Sequence, residues 1–361
     1  MNCLNKLVLG MAVGCLAWAV CVATLQAQAQ ETKQPQAQQT KQPQAKTKAE
    51  YDAYTAVYNE QDQNKKVELG SKFLTDYPDS EFKAFVYQIL INSYASLGNA
   101  AKVAEIGEKF ISDFPQADPG AKRFVLQRMM QSYQALNKFE ETVQTGEKLL
   151  AIEPNDLAAL LTLSSVLPER VPQDDAKKAE QLQKAMDYAQ KAEAAVTALF
   201  NGPKPAQVTD QQWSDEKNRS LASVYSSMGL IHLNKKEYDK ASEEYEKATA
   251  LVWSNPIDFY RLGIAYGFQA RAMGKELNDM YTAQSQAPDA AAKIDEKKKQ
   301  FTTVRDKAID DLAKSVALKG VTEAQARVEL EKLWKSKNDN LNGLDAYIQQ
   351  MAETLKKGPQ K

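Results

Sequence analysis

Apolar residues recur at three-to-four spacing along most of the chain from about residue 49, which predicts a succession of amphipathic helices. Three segments repeat one arrangement: Val67, Gly70 and Phe73; Ala104, Gly107 and Phe110; Val143, Gly146 and Leu149. Each glycine precedes a proline by eight positions, at Pro78, Pro115 and Pro154. The spacing predicts the second helices of three successive hairpins. The glycine sits where a neighbouring helix crosses, and the proline stops the helix because its ring cannot continue the backbone hydrogen bonding. First helices precede them, with Tyr94 and Tyr133 lying 39 residues apart while the glycines lie 37 and 39 apart. Asp79 and Ser80 are expected caps for the helix carrying Phe82, Phe85 and Tyr87.

Later units are longer. A fourth hairpin is expected to open over residues 156–167, to break at Pro168 and Pro172, and to resume as a charged helix over residues 175–200 with Ala185, Ala189 and Ala192 on one face. Thr209 and Gln212 read as a capping box ahead of Trp213, and the following second helix holds Ala241, Tyr245 and Ala248. A sixth hairpin starts at Pro256. Its second-helix small residue, expected nine positions after Tyr266, is Ala308, 42 positions on, so an inserted helical extension is expected at about 273–300. The repeats thus run over 49–320. Residues 321–361 are expected to form capping helices, with Thr322 and Gln325 as a second capping box and Leu330, Leu333, Trp334, Leu344, Tyr347, Ile348 and Met351 covering the last apolar face.

The N-terminus has a different character. Lys6, an uncharged and mostly apolar run over residues 7–25, and Ala27-Gln28-Ala29 predict a signal peptide over 1–29. Three fates are open: cleavage near Ala29, an uncleaved anchor, or a lipid anchor at Cys15 in the loosely lipobox-like Ala12-Val13-Gly14-Cys15. Residues 30–48 follow as a Gln/Lys/Pro-rich linker in which Thr32-Lys33-Gln34-Pro35-Gln36-Ala37 recurs over residues 40–45. Lacking aliphatic or aromatic side chains to offset its ordering entropy, the linker is expected to be disordered.

Composition narrows the chemistry. The chain of 361 residues is 43% hydrophobic and 26% charged with 15 Gly and 13 Pro, which suits long helices. A formal net charge of −1 gives no basic field for nucleic acid. The cysteines, Cys3, Cys15 and Cys21, all lie before Ala29, so cleavage there removes disulfide and thiolate chemistry. His232 is the only histidine, and it occupies the place of Tyr94 and Tyr133 in the other first helices, so it is expected to be a packing ring. The carboxylates sit among lysines at helical spacing, and no glycine-rich loop precedes a lysine. No enzyme, metal or cofactor is therefore expected.

Two first helices carry a more specific pattern: Tyr225, Met228, Gly229 and His232, then Phe259, Leu262, Gly263 and Tyr266, at identical offsets. This pattern, with the glycine-containing second helices, resembles the tetratricopeptide repeat family over most of 49–320. The endings over residues 73–80 are similar to those of exported proteins of outer-membrane assembly and cell-division coordination. The resemblance implies an all-α fold, an α/α superhelix or solenoid of about six helical hairpins with a C-terminal helical cap. It implies a concave groove lined by first helices that receives a protein or peptide partner. Carried onto this chain, the groove residues are Gln88, Asn92, Phe124, Gln127, Arg128, Gln131, Gln134, Tyr260, Arg261 and Ile264. A carboxylate-clamping variant of the family places lysines where this chain has Gln88 and Phe124, which argues against that specificity. The implied role is a periplasmic or secreted scaffold for protein–protein interaction in the cell envelope. The alternative is a glycan-binding helical-repeat protein of an outer-membrane uptake system, with Trp213 and Trp253 as its platform candidates.

Overall fold

The computed structural model describes residues 43–283 and 290–358. The signal-peptide residues, Cys15 and most of the linker lie outside the described residues, as does 284–289 within the expected insertion. The all-α expectation is met: the described residues form α-helices and one 3-10 turn, without strands. Among them no helix is long and apolar enough to cross a membrane.

The contacts group the chain into two units. The first, within 43–166 and 204–207, holds α1 (Lys48–Asn59), α2 (Gln63–Asp76), α3 (Lys83–Ser96), α4 (Ala100–Asp113), α5 (Pro119–Ala135), α6 (Phe139–Ile152) and α7 (Leu157–Val166). Each helix packs on the next, and α1 also meets α3 as α3 meets α5, so the hairpins stack with their first helices side by side. This is the packing of an α/α solenoid. Phe73, Val86, Leu90, Ile91, Phe110, Val125, Met130 and Leu149 fill the shared core.

Local chemistry sets the helix ends. The side chains of Thr47, Asp62, Asn99 and Asp118 each accept a backbone N–H of the first turn. At the other ends Tyr77, Phe114 and Glu153 leave the helical region just before Pro78, Pro115 and Pro154, because a proline disfavours the helical conformation of its predecessor. The second-helix glycines face the first helix of the following hairpin: a Cβ on Gly107 would lie 2.4 Å from Met129 Cγ, and one on Gly146 would lie 3.0 Å from Leu163 Cδ2. Asp79 does not cap α3. Ser80 is buried and its hydroxyl accepts from Phe82 N at 3.1 Å, so Phe82 belongs to the turn and the helix begins at Lys83.

The second unit, within 167–203 and 208–358, begins with the 3-10 turn Leu167–Glu169 and continues through α8 (Asp175–Asn201), α9 (Asp210–Asn234), α10 (Tyr238–Leu251), α11 (Pro256–Thr282), α12 (Ala290–Leu318), α13 (Glu323–Asn338) and α14 (Leu344–Lys356). Consecutive helices pack from α8 to α13, α9 meets α11, α11 meets α13, and α14 lies on α12. Leu182, Ala185, Ala189 and Ala192 are buried on α8, while Tyr245, Leu262, Ala265 and Ala308 are buried at the centre of α10 to α12. The expected fourth hairpin is divided: α7 packs on α6 in the first unit, whereas α8 packs on the 3-10 turn and α9 in the second. Pro168 falls within the 3-10 turn that follows α7, and Pro172 lies between that turn and α8.

Both partners of the sixth hairpin are long. Around the expected insertion α11 and α12 remain paired, with a Cβ on Gly274 3.3 Å from Phe301 and an ion pair between Glu276 and Lys297. Thr209 and Gln212 form the reciprocal capping box at the start of α9. Thr322 does not repeat it: the residue is fully buried, caps nothing with its side chain, and places its hydroxyl 3.2 Å from that of Ser315. Leu330, Leu344 and Met351 are buried beneath this end, while Leu333, Trp334, Tyr347 and Ile348 are partly covered.

Burial of charge in this unit has a consequence for pH dependence. Asp311 is 8% exposed, and burial pushes its carboxyl up to about 6 although the Lys314 ammonium at 2.8 Å pulls the other way. The folded state therefore holds the proton more tightly than an unfolded carboxyl near 3.9. Ionisation costs folding stability as pH rises from about 4 to about 6, and the cost stays constant above. Asp311→Asn is expected to unfold with about 1–2 kcal/mol more stability than the parent at pH 8, with the advantage gone at pH 4. Thermal unfolding of both proteins across that range measures it, and a difference independent of pH would contradict the assignment.

Candidate partner-binding face

The register of the first unit repeats exposed positions as well as buried ones. Tyr94 of α3 and Tyr133 of α5 are 39 residues apart, and the same offset pairs Phe85 with Phe124, Gln88 with Gln127, and Asn92 with Gln131. On α3 the residues Phe85, Gln88 and Asn92 fall at three-to-four spacing, one stripe of the helix, and their counterparts form the same stripe on α5. α3 and α5 are packed side by side, and the two stripes occupy equivalent positions on them. Phe85 is 44% exposed, Asn92 is exposed, and Phe124 and Gln131 are partly exposed.

Arg128 stands one turn beyond Phe124, with its guanidinium 5.7 Å from the ring centroid. It is half-buried, and that burial lowers its affinity for its proton below the ordinary arginine value. Of the neighbouring cations two meet carboxylates and the third a neutral carbonyl. Lys83 pairs with Asp113 at 2.8 Å, Arg123 pairs with Asp156 at 3.0 Å, and Lys122 donates to Pro115 O. Among the described residues Arg128 has no carboxylate partner. The face is also one-sided in charge: α3 and α5 carry Lys83, Lys122, Arg123 and Arg128 and no acidic residue, whereas α4 and α6 mix Glu105, Glu108, Asp113, Glu140, Glu141 and Glu147 with Lys102, Lys109 and Lys148.

A buried hub holds the face in place. Asp156, with no exposed surface, accepts from Arg123 Nε at 3.0 Å and Gln127 Nε2 at 2.7 Å through one oxygen. Its other oxygen accepts from Ala159 N at 3.0 Å and caps α7. Tyr87 donates to Asp113 at 2.9 Å, and Tyr133 to Glu108, tying first helices to second helices.

The expected groove residues divide accordingly. Asn92, Phe124, Arg128, Gln131 and Gln134 stand on the first-unit face, and among the described residues the side-chain amides of Asn92, Gln131 and Gln134 make no hydrogen bond. Gln88 bonds back to Ala84 O at 3.3 Å, and Gln127 is committed to Asp156. The second unit requires a correction. Tyr260 and Arg261 are 2% and 6% exposed, and Arg261 Nη2 donates to Glu169 Oε1 at 2.6 Å, fastening α11 to the 3-10 turn. Neither side chain is open to a partner, and Ile264 packs against the core between α10, α11 and α12. Phe85 was absent from the expected set although its spacing to Phe124 announces it. Tyr51 of α1, 37 residues before Gln88 and 55% exposed, extends the same face.

His232 fits its expected place. Backbone N–H groups at Asn99, Lys138 and Glu237 donate to the carbonyls of Tyr94, Tyr133 and His232, and Gly98, Asn137 and Lys236 all take positive φ at the same turn position. The ring is partly buried, with Nδ1 2.6 Å from Glu237 Oε2. His232→Tyr is expected to change stability by less than about 1 kcal/mol, read from urea unfolding, because the family of equivalent positions already accepts tyrosine. A loss above about 3 kcal/mol would contradict the equivalence. Trp213 lies 4.5 Å from Phe200, and Trp253 lies against Gly358; both are partly covered by their own unit. Among the described residues no cluster of histidine, cysteine or carboxylate side chains is arranged to hold a metal ion.

No family model and no curated protein matches the chain by sequence. Among solved structures, a tetratricopeptide repeat protein of Parabacteroides merdae is similar at 13% identity with a TM-score of 0.39, covering 80% of this chain and 99% of that one. One from Thermus thermophilus shows 19% identity and a TM-score of 0.35 over 61% of this chain and 98% of its own. One from Bacteroides fragilis shows 15% identity and a TM-score of 0.31 over 70% and 98%. Likeness at these scores carries no argument about what this chain binds.

Proposed function

We propose that this chain is an exported scaffold of the tetratricopeptide repeat type that holds a partner protein in the cell envelope on the α3–α5 face and catalyses no reaction. The observation that carries the reading is the repeated stripe of Phe85 and Phe124, Asn92 and Gln131, with Arg128 beside them, all on adjacent first helices. Phe124 also packs against the core of the first unit, whereas Phe85 is left 44% exposed and Asn92 is exposed. Exposed rings and a guanidinium among hydrogen-bonding amides are the side chains that contribute most to protein interfaces. Export rests on the apolar run and Ala27-Gln28-Ala29 of the N-terminus, with retention by Cys15 or by an uncleaved segment as the competing outcomes.

Affinity capture from envelope fractions of the native host, with the full chain and with Phe124→Ala/Arg128→Ala, tests the reading. The expected result is a partner whose recovery falls at least about tenfold with the double variant while its circular dichroism shows the helical fold retained. Equal recovery would remove the face from the proposal. Mass spectrometry of the mature N-terminus decides among cleavage, retention and lipidation, and recovery of the chain from the cytosol with an intact, unmodified N-terminus would sink the export reading.

A further inference from the structure

The reading of the face as a partner site leaves the partner's chemistry open, and the charge on the face narrows it. The helices α3 and α5 bring four basic side chains and no carboxylate; Lys83 and Arg123 pair with Asp113 and Asp156, and Lys122 rests on the neutral Pro115 carbonyl. Arg128, on the stripe of Phe124 and Gln131, has no carboxylate partner among the described residues. Holding a guanidinium partly out of water without a counter-ion is unfavourable in the free chain, and a carboxylate brought by a partner relieves it with a charge-assisted, two-pronged hydrogen bond. The Phe124 ring lies 5.7 Å from the guanidinium, within cation–π range, so the cation stands beside an apolar surface where a carboxylate would meet it.

The neutral side chains of the two stripes set what surrounds that carboxylate. The free amides of Asn92 and Gln131 offer both a donor and an acceptor, matching the alternating N–H and C=O of an extended backbone. Phe85 and Phe124 flank the amides with apolar surface. Resting on the function proposed above, we propose that the α3–α5 face takes an extended peptide segment of the partner carrying an internal aspartate or glutamate for Arg128, with apolar side chains beside it for the two phenylalanines. An internal side chain is chosen over a chain terminus because Arg128 is the one cation on the stripe that carries Phe124, Gln127 and Gln131. The positions of Gln88 and Phe124, where paired lysines would gather a terminal carboxylate, bear no charge.

Selection of random peptides of about twelve residues, acetylated and amidated at their ends, on the immobilised full chain provides the probe. Fluorescence polarisation of the enriched sequences then gives affinities. The expected result is enrichment of peptides with one acidic residue next to leucine, isoleucine or an aromatic residue. Affinity is expected to fall at least about tenfold when that residue becomes its amide or when the protein carries Arg128→Gln, and to survive in part with Arg128→Lys. Arg128→Gln must keep the parental unfolding midpoint within about 2 °C. Enriched peptides without acidic residues that lose affinity with Phe124→Ala would overturn the acidic assignment and leave the face as the binding surface. Enriched peptides indifferent to both Phe124→Ala and Arg128→Gln would overturn both readings. Retention of no peptide, or binding that arises only when the same library is remade with free C-terminal carboxylates, would overturn the internal-side-chain proposal.

Discussion

Asp156→Ala is expected to destabilise the first unit by about 3–5 kcal/mol, the largest effect of any single surface-preserving change in these helices. Three bonds end on this fully buried carboxylate: those from Arg123 Nε, Gln127 Nε2 and Ala159 N. Truncation removes the cap of α7, about 1 kcal/mol by itself, and takes away the buried oxygen that Arg123 Nε and Gln127 Nε2 share. Arg123 is partly exposed and recovers some hydration, which favours the lower end of the range. Asp156→Asn keeps one oxygen for the cap and is expected to cost roughly half as much. Urea unfolding followed by circular dichroism measures both, and a loss below about 1 kcal/mol for the alanine variant would show that the hub is not what positions Arg123 and Gln127.

The second large effect lies in the other unit. Gly263→Ala is expected to lose about 2 kcal/mol although alanine is the better helix former by about 1 kcal/mol. A Cβ at this position would stand 2.6 Å from Leu312 Cγ and 3.1 Å from the backbone nitrogen of Leu312, so α11 and α12 must separate to admit it. Gly267 lies one turn along on the same helix, and its nearest neighbour to a Cβ is Leu333 Cδ1 at 3.9 Å. Gly267→Ala is therefore expected to be neutral or stabilising by up to about 1 kcal/mol. Opposite signs for two glycines one turn apart would identify close helix approach, and equal signs would contradict it.

What the sequence reveals about this chain depends on the range of the interaction. The capping box of Thr209 and Gln212 is local, and it forms as its spacing suggests. Thr322 has the same spacing, but its hydroxyl lies against Ser315 of the preceding helix, a tertiary contact that overrides the cap. Gly229 and Gly263 mark helix contacts because a missing side chain is visible in any sequence, and a Cβ at either would meet Tyr245 or Leu312. Arg261 is the opposite case. It falls on the expected stripe of a first helix, yet Glu169, 92 residues earlier, draws it into the interior. Nothing in the local pattern announces that partner. Phe85 was legible through its 39-residue offset from Phe124, but reading it required treating exposed positions as repeated alongside the core. The division of the fourth hairpin between units was legible only as a break at Pro168 and Pro172, because prolines report where a helix stops and carry no information about what it packs on.

The absence of carboxylates from α3 and α5 links these observations to function. Second helices carry carboxylates that tie down lysines and tyrosines, as Glu105 does with Lys102 and Lys109, whose ammonium groups hold its carboxyl down at about 2. First helices α3 and α5 present rings, amides and Arg128 instead. Site-specific photo-crosslinking in the native host tests this division most directly. A benzophenone amino acid is placed at Asn92 or Gln131 on one side and at Glu105 or Glu147 on the other. The account predicts one discrete crosslinked protein from Asn92 and Gln131 and none from Glu105 and Glu147; that protein captured from the second-helix positions alone would contradict it.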